Sequence, residues 1–354
     1  MTPEELLAKV RRGEPLQQVR LGEMALEGVD LAGAILQECD LRGGRLASAD
    51  LRGSVISRCQ LDGAALAGAC LEDVTFHDCS LVEADLRGAA LGKARFVECQ
   101  AAGAVLAEVV AEALVVYKGT FRGARLERIT LHRSAFSETD MEAVELAGAR
   151  LSQCAFLAVD FRATGLRGAS FDTVVFNRSD LSGLDLSGMT LSHCQLGGSK
   201  LVGTNLREAS LEGAGFAEAE LEGACLAGAR APRASFVGAR ASELQAAGAA
   251  LEQAVFVDAQ LVRADLSRAS LREAVLQRIG AAEARFDGAD LRYADLSHAD
   301  LRRADFTGAS LFRTRLHRIR DEGARFGSRA LALGDDPALA EAERFEPPPP
   351  RERP

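Results

Sequence analysis

Residues 289–306 read ADLRYADLSHADLRRADF, with Ala-Asp-Leu or Ala-Asp-Phe recurring every five residues. A period of five is neither the 3.6 of a helix nor the 2 of a flat strand. A frame placed on Leu21 and stepped by five to Phe326 passes 62 positions, of which 52 are Leu or Phe, so it never slips. The departures are Ile56, Val116, Met141, Asp321 and six alanines: Ala101, Ala111, Ala231, Ala241, Ala246 and Ala281. Two residues before most frame positions stands a small residue, usually Ala, sometimes Cys, Ser, Thr or Val, while the other three places hold mainly Asp, Glu, Arg, Ser and Gly. Two inward residues with one outward residue between them make a short extended segment, and the next two outward residues turn a corner.

How many such segments close a coil is also written in the chain. Between Phe76 and Phe256, phenylalanine recurs every twenty residues at 76, 96, 136, 156, 176, 216, 236 and 256, broken by Val116 and Leu196. Cys39, Cys59, Cys79 and Cys99 are also twenty apart, all in the small inward place. Twenty residues therefore return the chain to the same side, and four pentapeptides make one coil. The expected fold is an all-β solenoid, a four-sided β-helix whose coils stack at strand spacing. That gives about fifteen coils and a rod roughly 70 to 75 Å long. The composition agrees: 47% hydrophobic but only 5% aromatic, with no Trp, calls for a uniform interior of Leu, Ala and Val.

The stretches ADLRYADLSHADLRRADF, CDLRGGRLASADLRG and SDLSGLDLSG resemble the A(D/N)LXX repeats of the pentapeptide-repeat family. The resemblance covers 21–326 and implies a right-handed quadrilateral β-helix. It says much less about function; the residues themselves, with a filled interior, no deep pocket and carboxylates spread around the perimeter, point to a rod that binds other proteins through flat faces and is not an enzyme. Residues 7–41, LAKVRRGEPLQQVRLGEMALEGVDLAGAILQECDL, are similar to members found in type VI secretion effector loci, which implies a helper or adaptor there. The alternative within the family is an acidic DNA mimic that occupies gyrase or a related topoisomerase.

Three regions follow: 1–20 as capping helix and lead-in, 21–326 as β-helix, and 327–354 as C-terminal cap and Pro-rich tail. Thr2-Pro3-Glu4-Glu5 reads as an N-cap, a first-turn Pro and a capping-box Glu, followed by Leu6, Leu7 and Val10 at helical spacing and Gly13 as the stop. A helix over 2–12 is expected. SRALALGDDPALAEAERF predicts a second short helix, and EPPPPRERP an extended disordered tail or a ligand for a groove. In 101–116 and around Phe236 the frame residues shrink to alanine, which reads as a compensated core or as a bend that shapes a docking face.

Chemistry is sparse. His77, His132, His193, His298 and His317 all fall in outward places; His298 and His317 lie on neighbouring coils, but no carboxylate or thiol completes a metal set at recognisable spacing. Cys79 points inward and His77 outward, so they form no dyad. Glycine serves as corner residue, without the strand-to-helix context of a phosphate loop. No catalytic, cofactor-binding or metal residue is assigned. The start carries acids and no apolar run of signal-peptide length, and no stretch is long enough to cross a bilayer, so a cytoplasmic protein with reduced thiols is expected. A net charge of -9 argues against direct nucleic-acid binding. The charge is polarised: 21–116 hold 15 acids and 7 bases, net -8, whereas 261–330 hold 14 arginines and 10 acids, net +4. Partner binding is accordingly expected to follow this charge pattern.

Overall fold

The computed structural model describes residues 2–344. Helix α1 (Pro3–Arg11) opens on the predicted capping box: the Glu5 N–H donates to Thr2 Oγ1 at 3.2 Å, and the Thr2 N–H donates to the Glu5 carboxylate at 2.9 Å. Its buried face, Leu6 and Val10, joins the core and covers the first coil.

From Leu16 to Leu333 the chain is a right-handed β-helix with four sides. Residues twenty apart are partners: Leu16 with Leu36, Arg20 with Asp40, Ala25 with Arg45, and Asp30 with Asp50 mark the four sides of the first turn. The Leu31 N–H donates to the Asp50 carbonyl at 2.7 Å and the Asp50 N–H to the Val29 carbonyl at 3.0 Å, which is a parallel ladder. The second residue after each frame position from Leu26 to Asp321 turns the corner with positive φ. Gly33 does so at 70° without a Cβ to clash, but Arg58 at 51° and the β-branched Thr173 at 55° hold the same conformation. Many corners are closed by the small residue, as when the Ala34 N–H donates to the Leu31 carbonyl at 3.1 Å.

Two sides become true sheets where Val, Ile, Thr, Tyr or Phe occupy the straight segments. One is eight-stranded: β1 (Leu16–Gln17), β2 (Ile35–Gln37), β3 (Val55–Ser57), β4 (Thr75–His77), β5 (Arg95–Val97), β7 (Val115–Tyr117), β9 (Ala135–Ser137) and β11 (Ala155–Leu157). The neighbouring side holds β6 (Val110–Glu112), β8 (Thr130–His132), β10 (Arg150–Ser152) and β12 (Ser170–Asp172). Near the far end β13 (Asp305–Phe306) pairs with β14 (Arg325–Phe326).

Frame residues from Leu21 to Leu316 are buried, whereas Asp321 and Phe326 at the end are partly exposed. Rings stack as the spacing predicts: Phe76 on Phe96 at 4.9 Å, Phe136 on Phe156 at 5.1 Å, and Phe236 on Phe256 at 4.5 Å. The alanine-thinned stretches are volume exchanges. Leu114 stands in a small place beside Ala111, and Leu244 stands between Ala241 and Ala246; all are buried and the ladder runs through them.

The last coil cuts its corner. Leu333 pairs with Arg315, eighteen residues away instead of twenty, and the chain then leaves the ladder. It turns into α2 (Pro337–Ala342), capped by Asp336 Oδ1 accepting from the N–H groups of Ala338 and Leu339. The expected Pro-rich tail, EPPPPRERP, lies outside the described residues.

Candidate functional surfaces

With the interior filled by side chains, function falls to the outward residues, and the four sides differ. The side built on the eight-stranded sheet continues past β11 along the same column, through Val175, Gln195, Gly215, Ser235, Val255 and Val275. From Ile35 to Gln277 its straight strand positions, two per coil over 13 coils, hold 26 outward residues, and Arg95 is the sole Asp, Glu, Lys or Arg among them; the third outward place, the corner row from Glu38 to Arg278, is charged in ten of the 13 coils and rims this strip. Fourteen of the 26 are Ala, Val, Ile, Leu or Tyr in a chain that is 26% charged overall, so this strip is set apart from the rest of the perimeter. Val55, Val115, Tyr117, Leu157 and Val237 stand exposed on it, and Val110 lies 67% exposed on the adjoining side. A flat parallel strip with one charged strand residue, Arg95, and exposed Val, Leu and Tyr side chains desolvates at low cost against another protein, although the Lys118 ammonium at its rim lies 5.1 Å from the Tyr117 ring. The five-residue frame alone does not show this face. Reading the outward residues at the twenty-residue period does.

The charged sides largely satisfy themselves. In each Asp-Leu-Arg unit, and in Asp160-Phe161-Arg162, the two outward residues flank one frame position and pair: Arg42 with Asp40 at 2.7 Å, Arg52 with Asp50 at 2.5 Å, Arg87 with Asp85 at 2.6 Å, Arg162 with Asp160 at 2.7 Å, Arg292 with Asp290 at 2.5 Å and Arg302 with Asp300 at 2.6 Å. The hydrogen bond from Arg42 holds the Asp40 carboxyl down at about 2. Other pairs bridge coils, as Arg278 with Asp258 at 2.7 Å and Arg303 with Glu283 at 3.1 Å. Most arginines of the basic C-terminal coils are thus engaged, and the local field is weaker than the formal charge count suggests. A groove of about 720 Å³ near Asp85, Arg87, Glu108 and Arg128 is open to solvent and lined by such pairs.

At the C-terminal end polar groups do converge, contrary to the sequence reading. His317 is outward by pattern but only 3% exposed, because the chain beyond Leu333 folds back over it. The carboxylate that was absent at recognisable spacing arrives from Glu343, just after α2. Glu343 Oε1 lies 3.0 Å from His298 Nε2, and Oε2 lies 3.5 Å from His317 Nε2 and 2.6 Å from Arg318 Nη1. The imidazoles meet edge to face at 5.5 Å. Burial works to raise the Glu343 carboxyl, but the His298 hydrogen bond and the Arg318 charge outweigh it and hold the group below its ordinary value.

The ligand atoms of His298, His317 and Glu343 lie within 4.8 Å of one another, a spacing that suits a metal ion. The hydrogen bonds do not. The Asp336 N–H donates to His317 Nδ1 at 3.1 Å, which assigns the proton of the neutral ring to Nε2, the nitrogen a metal would need bare. Arg318 already supplies a cation to the carboxylate. The cluster is a clasp that ties α2 to the rod. The other histidines are dispersed: His77 and His193 are exposed, and His132 Nδ1 shares a 2.9 Å hydrogen bond with Ser152 Oγ.

All eight cysteines are free. Cys79 donates inward to the Ile56 carbonyl at 3.3 Å, away from the His77 ring, and burial pushes the Cys194 thiol up to about 11, so it is poorly nucleophilic. No helix among the described residues is long and apolar enough to cross a membrane.

The family model for pentapeptide repeats matches residues 45–78, 59–96, 154–192, 190–228, 234–278 and 282–318, together more than half of the chain. No curated protein matches the sequence. Among solved structures, the chain is similar to HetL, a pentapeptide repeat protein involved in heterocyst differentiation regulation in the cyanobacterium Nostoc. Identity is 26%, over 71% of this chain and 97% of that one, with a TM-score of 0.31. It is also similar to full-length QnrB1, a plasmid-mediated fluoroquinolone resistance protein, at 15% identity over 56% of this chain and 92% of that one, with a TM-score of 0.40. With its repeat, its twenty-residue coil and its filled interior in agreement with that match, the chain belongs to the pentapeptide-repeat family.

Proposed function

We propose that this protein is a non-enzymatic scaffold of the bacterial cytoplasm that binds another protein along its uncharged side. The observation that carries this reading is the strip of outward residues at the straight strand positions from Ile35 to Gln277, with one charged member, Arg95. Its partner presents an apolar, weakly charged surface, because burying unpaired charges against this side would cost several kcal/mol. Binding of this kind is driven by apolar burial and tolerates salt, unlike binding through the acidic and basic coils. A photo-crosslinking residue at position 117, on the uncharged side, should trap the partner. The same residue at position 125, on the opposite side, should not, and equal trapping at both positions would reject the assignment.

The finer reading, an adaptor beside a type VI secretion effector, rests on the resemblance of residues 7–41. Deleting the neighbouring effector gene's product from the cell should then remove the trapped species. The second reading, a gyrase-directed DNA mimic, is favoured by the net charge of -8 over 21–116. It predicts inhibition of supercoiling by the purified rod, and inactivity in that assay rejects it.

A further inference from the structure

The ladder between coils is continuous on two sides along the whole rod, through Ala155, Val175 and Gln195 on one and Asp160, Asp180 and Lys200 on the next. On the other two sides it stops at the same junction. Gly165 has no bridge to Asp185 and β12 has none to Thr190, although pairing resumes one coil later with Asp185 to Asn205 and Thr190 to Ser210. The register of neighbouring coils calls for ladder bonds from the N–H groups of Leu166, Gly168, Phe171 and Thr173 on one coil, and of Asp185 and Thr190 on the other. None of these forms. Below the gap lies an apolar cavity bordered by Phe161, Leu166, Phe171, Phe176, Leu186 and Leu191, and Ala169 and Met189 are only partly buried there.

The side chains explain the gap. On the two broken sides the small inward place is filled by Leu184 and Met189. Leu114 is offset by the shrunken Ala111 and Leu244 by Ala241 and Ala246, and the ladder holds; Met24 and Ile129 each stand singly among full-sized Leu frame residues and the ladder holds there too, whereas Leu184 and Met189 fall on adjacent sides of one coil. Around Leu184 and Met189 the frame residues stay large, Leu181, Leu186 and Leu191, under a coil that already carries Phe161, Phe171 and Phe176. Excess volume in a close-packed core is relieved by moving backbone, and here the coils part.

We propose that this seam is a hinge that divides the solenoid into two stiff arms, Leu16 to Phe176 and Leu181 to Leu333. The arms rock about the two unbroken sides. One of these is the uncharged side, so the hinge sets the curvature of that face, whatever binds there. Backbone donors left without partners take water, which keeps the seam open to solvent and exchange.

The test is amide hydrogen exchange of the full chain, with the distance between spin labels on the two arms. The six seam amides should exchange at least ~100-fold faster than their counterparts one coil away, with a broad label distance. Replacing Leu184 and Met189 by Ala should slow exchange at the seam and narrow the distance. The converse variant, Ala64→Leu with Ala69→Met, places the same residues on the same two sides among unshrunken Leu61, Leu66 and Leu71, and should open a second seam. Seam amides as protected as their neighbours in the native protein would overturn the proposal. So would a single narrow distance that neither variant changes.

Discussion

Replacing Phe236 by Ala should be among the most damaging single changes in the rod. The ring is fully buried, lies 5.0 Å from Phe216 and 4.5 Å from Phe256, and is nearly parallel to both at 3° and 7°. Truncating a buried Phe to Ala costs about 3 to 5 kcal/mol, depending on how far the surroundings collapse. Here collapse is difficult, because the other three frame residues of the coil are Ala231, Ala241 and Ala246 and have nothing to move into the void. The lost stacking, at about 0.5 to 1.5 kcal/mol per aromatic pair, overlaps with that figure and pushes it to the upper end, near 5 kcal/mol. Phe156 makes more ring contacts, with Phe136, Phe161 and Phe176, yet Phe161 and Phe176 border the seam, where the ladder does not hold two sides of the coil in place, so they can close onto the void left by truncation. Its truncation should cost nearer 3 kcal/mol. Urea unfolding, with hydrogen exchange to locate the damage, measures both. A loss below about 2 kcal/mol for Phe236→Ala, or a larger loss for Phe156→Ala, would refute the reasoning.

Three further outcomes are expected. The carboxyls of Asp40, Asp50, Asp85, Asp160, Asp290 and Asp300 are lowered by their neighbouring arginines, so their stabilisation is present above about pH 4 and is lost as the pH falls toward about 2. The melting temperature should fall across that window in low salt, and an unchanged value down to pH 2 would contradict the pairing. Glu343→Ala removes the carboxylate shared by His298, His317 and Arg318, so limited proteolysis should cut 334–342 several-fold faster while the coils stay intact; an unchanged cleavage rate would mean that α2 is held by other contacts. A thiol reagent should modify the half-buried Cys70 and Cys225 in the folded protein and the remaining six only after denaturation, with rapid labelling of Cys59 or Cys194 as the contrary result.

The coil was legible in the sequence because every position is seen by the same two requirements, an inward Leu or Phe and a small inward partner, repeated until chance is excluded. The ring stacks and the capping box of α1 followed from spacing alone. The burial of His317 did not, since it depends on Glu343, 26 residues later and beyond the point where Leu333 leaves the register. The seam was half visible. Leu184 and Met189 violate the small-residue rule in plain sight, but Leu114 and Leu244 violate it too, as do Met24 and Ile129, and only the neighbours above, below and beside them decide which excess is absorbed. The uncharged side was hidden by the frame itself, because a five-residue reading superimposes all four sides and averages their charge.

The central claim is that a partner docks on the uncharged side. The most direct test is quantitative capture by three immobilised rods, each checked for an unchanged circular dichroism spectrum and melt. These are the native chain, a variant with Val115, Tyr117 and Leu157 replaced by Glu, and a variant with Arg302, Arg303, Arg313 and Arg315 replaced by Glu. A partner retained by the native rod and by the arginine variant in 0.5 M salt, and lost from the triple-Glu variant by at least ~100-fold in affinity, is the predicted result. Retention by the triple-Glu variant, with loss from the arginine variant or in salt, would contradict the account and return the binding site to the charged coils.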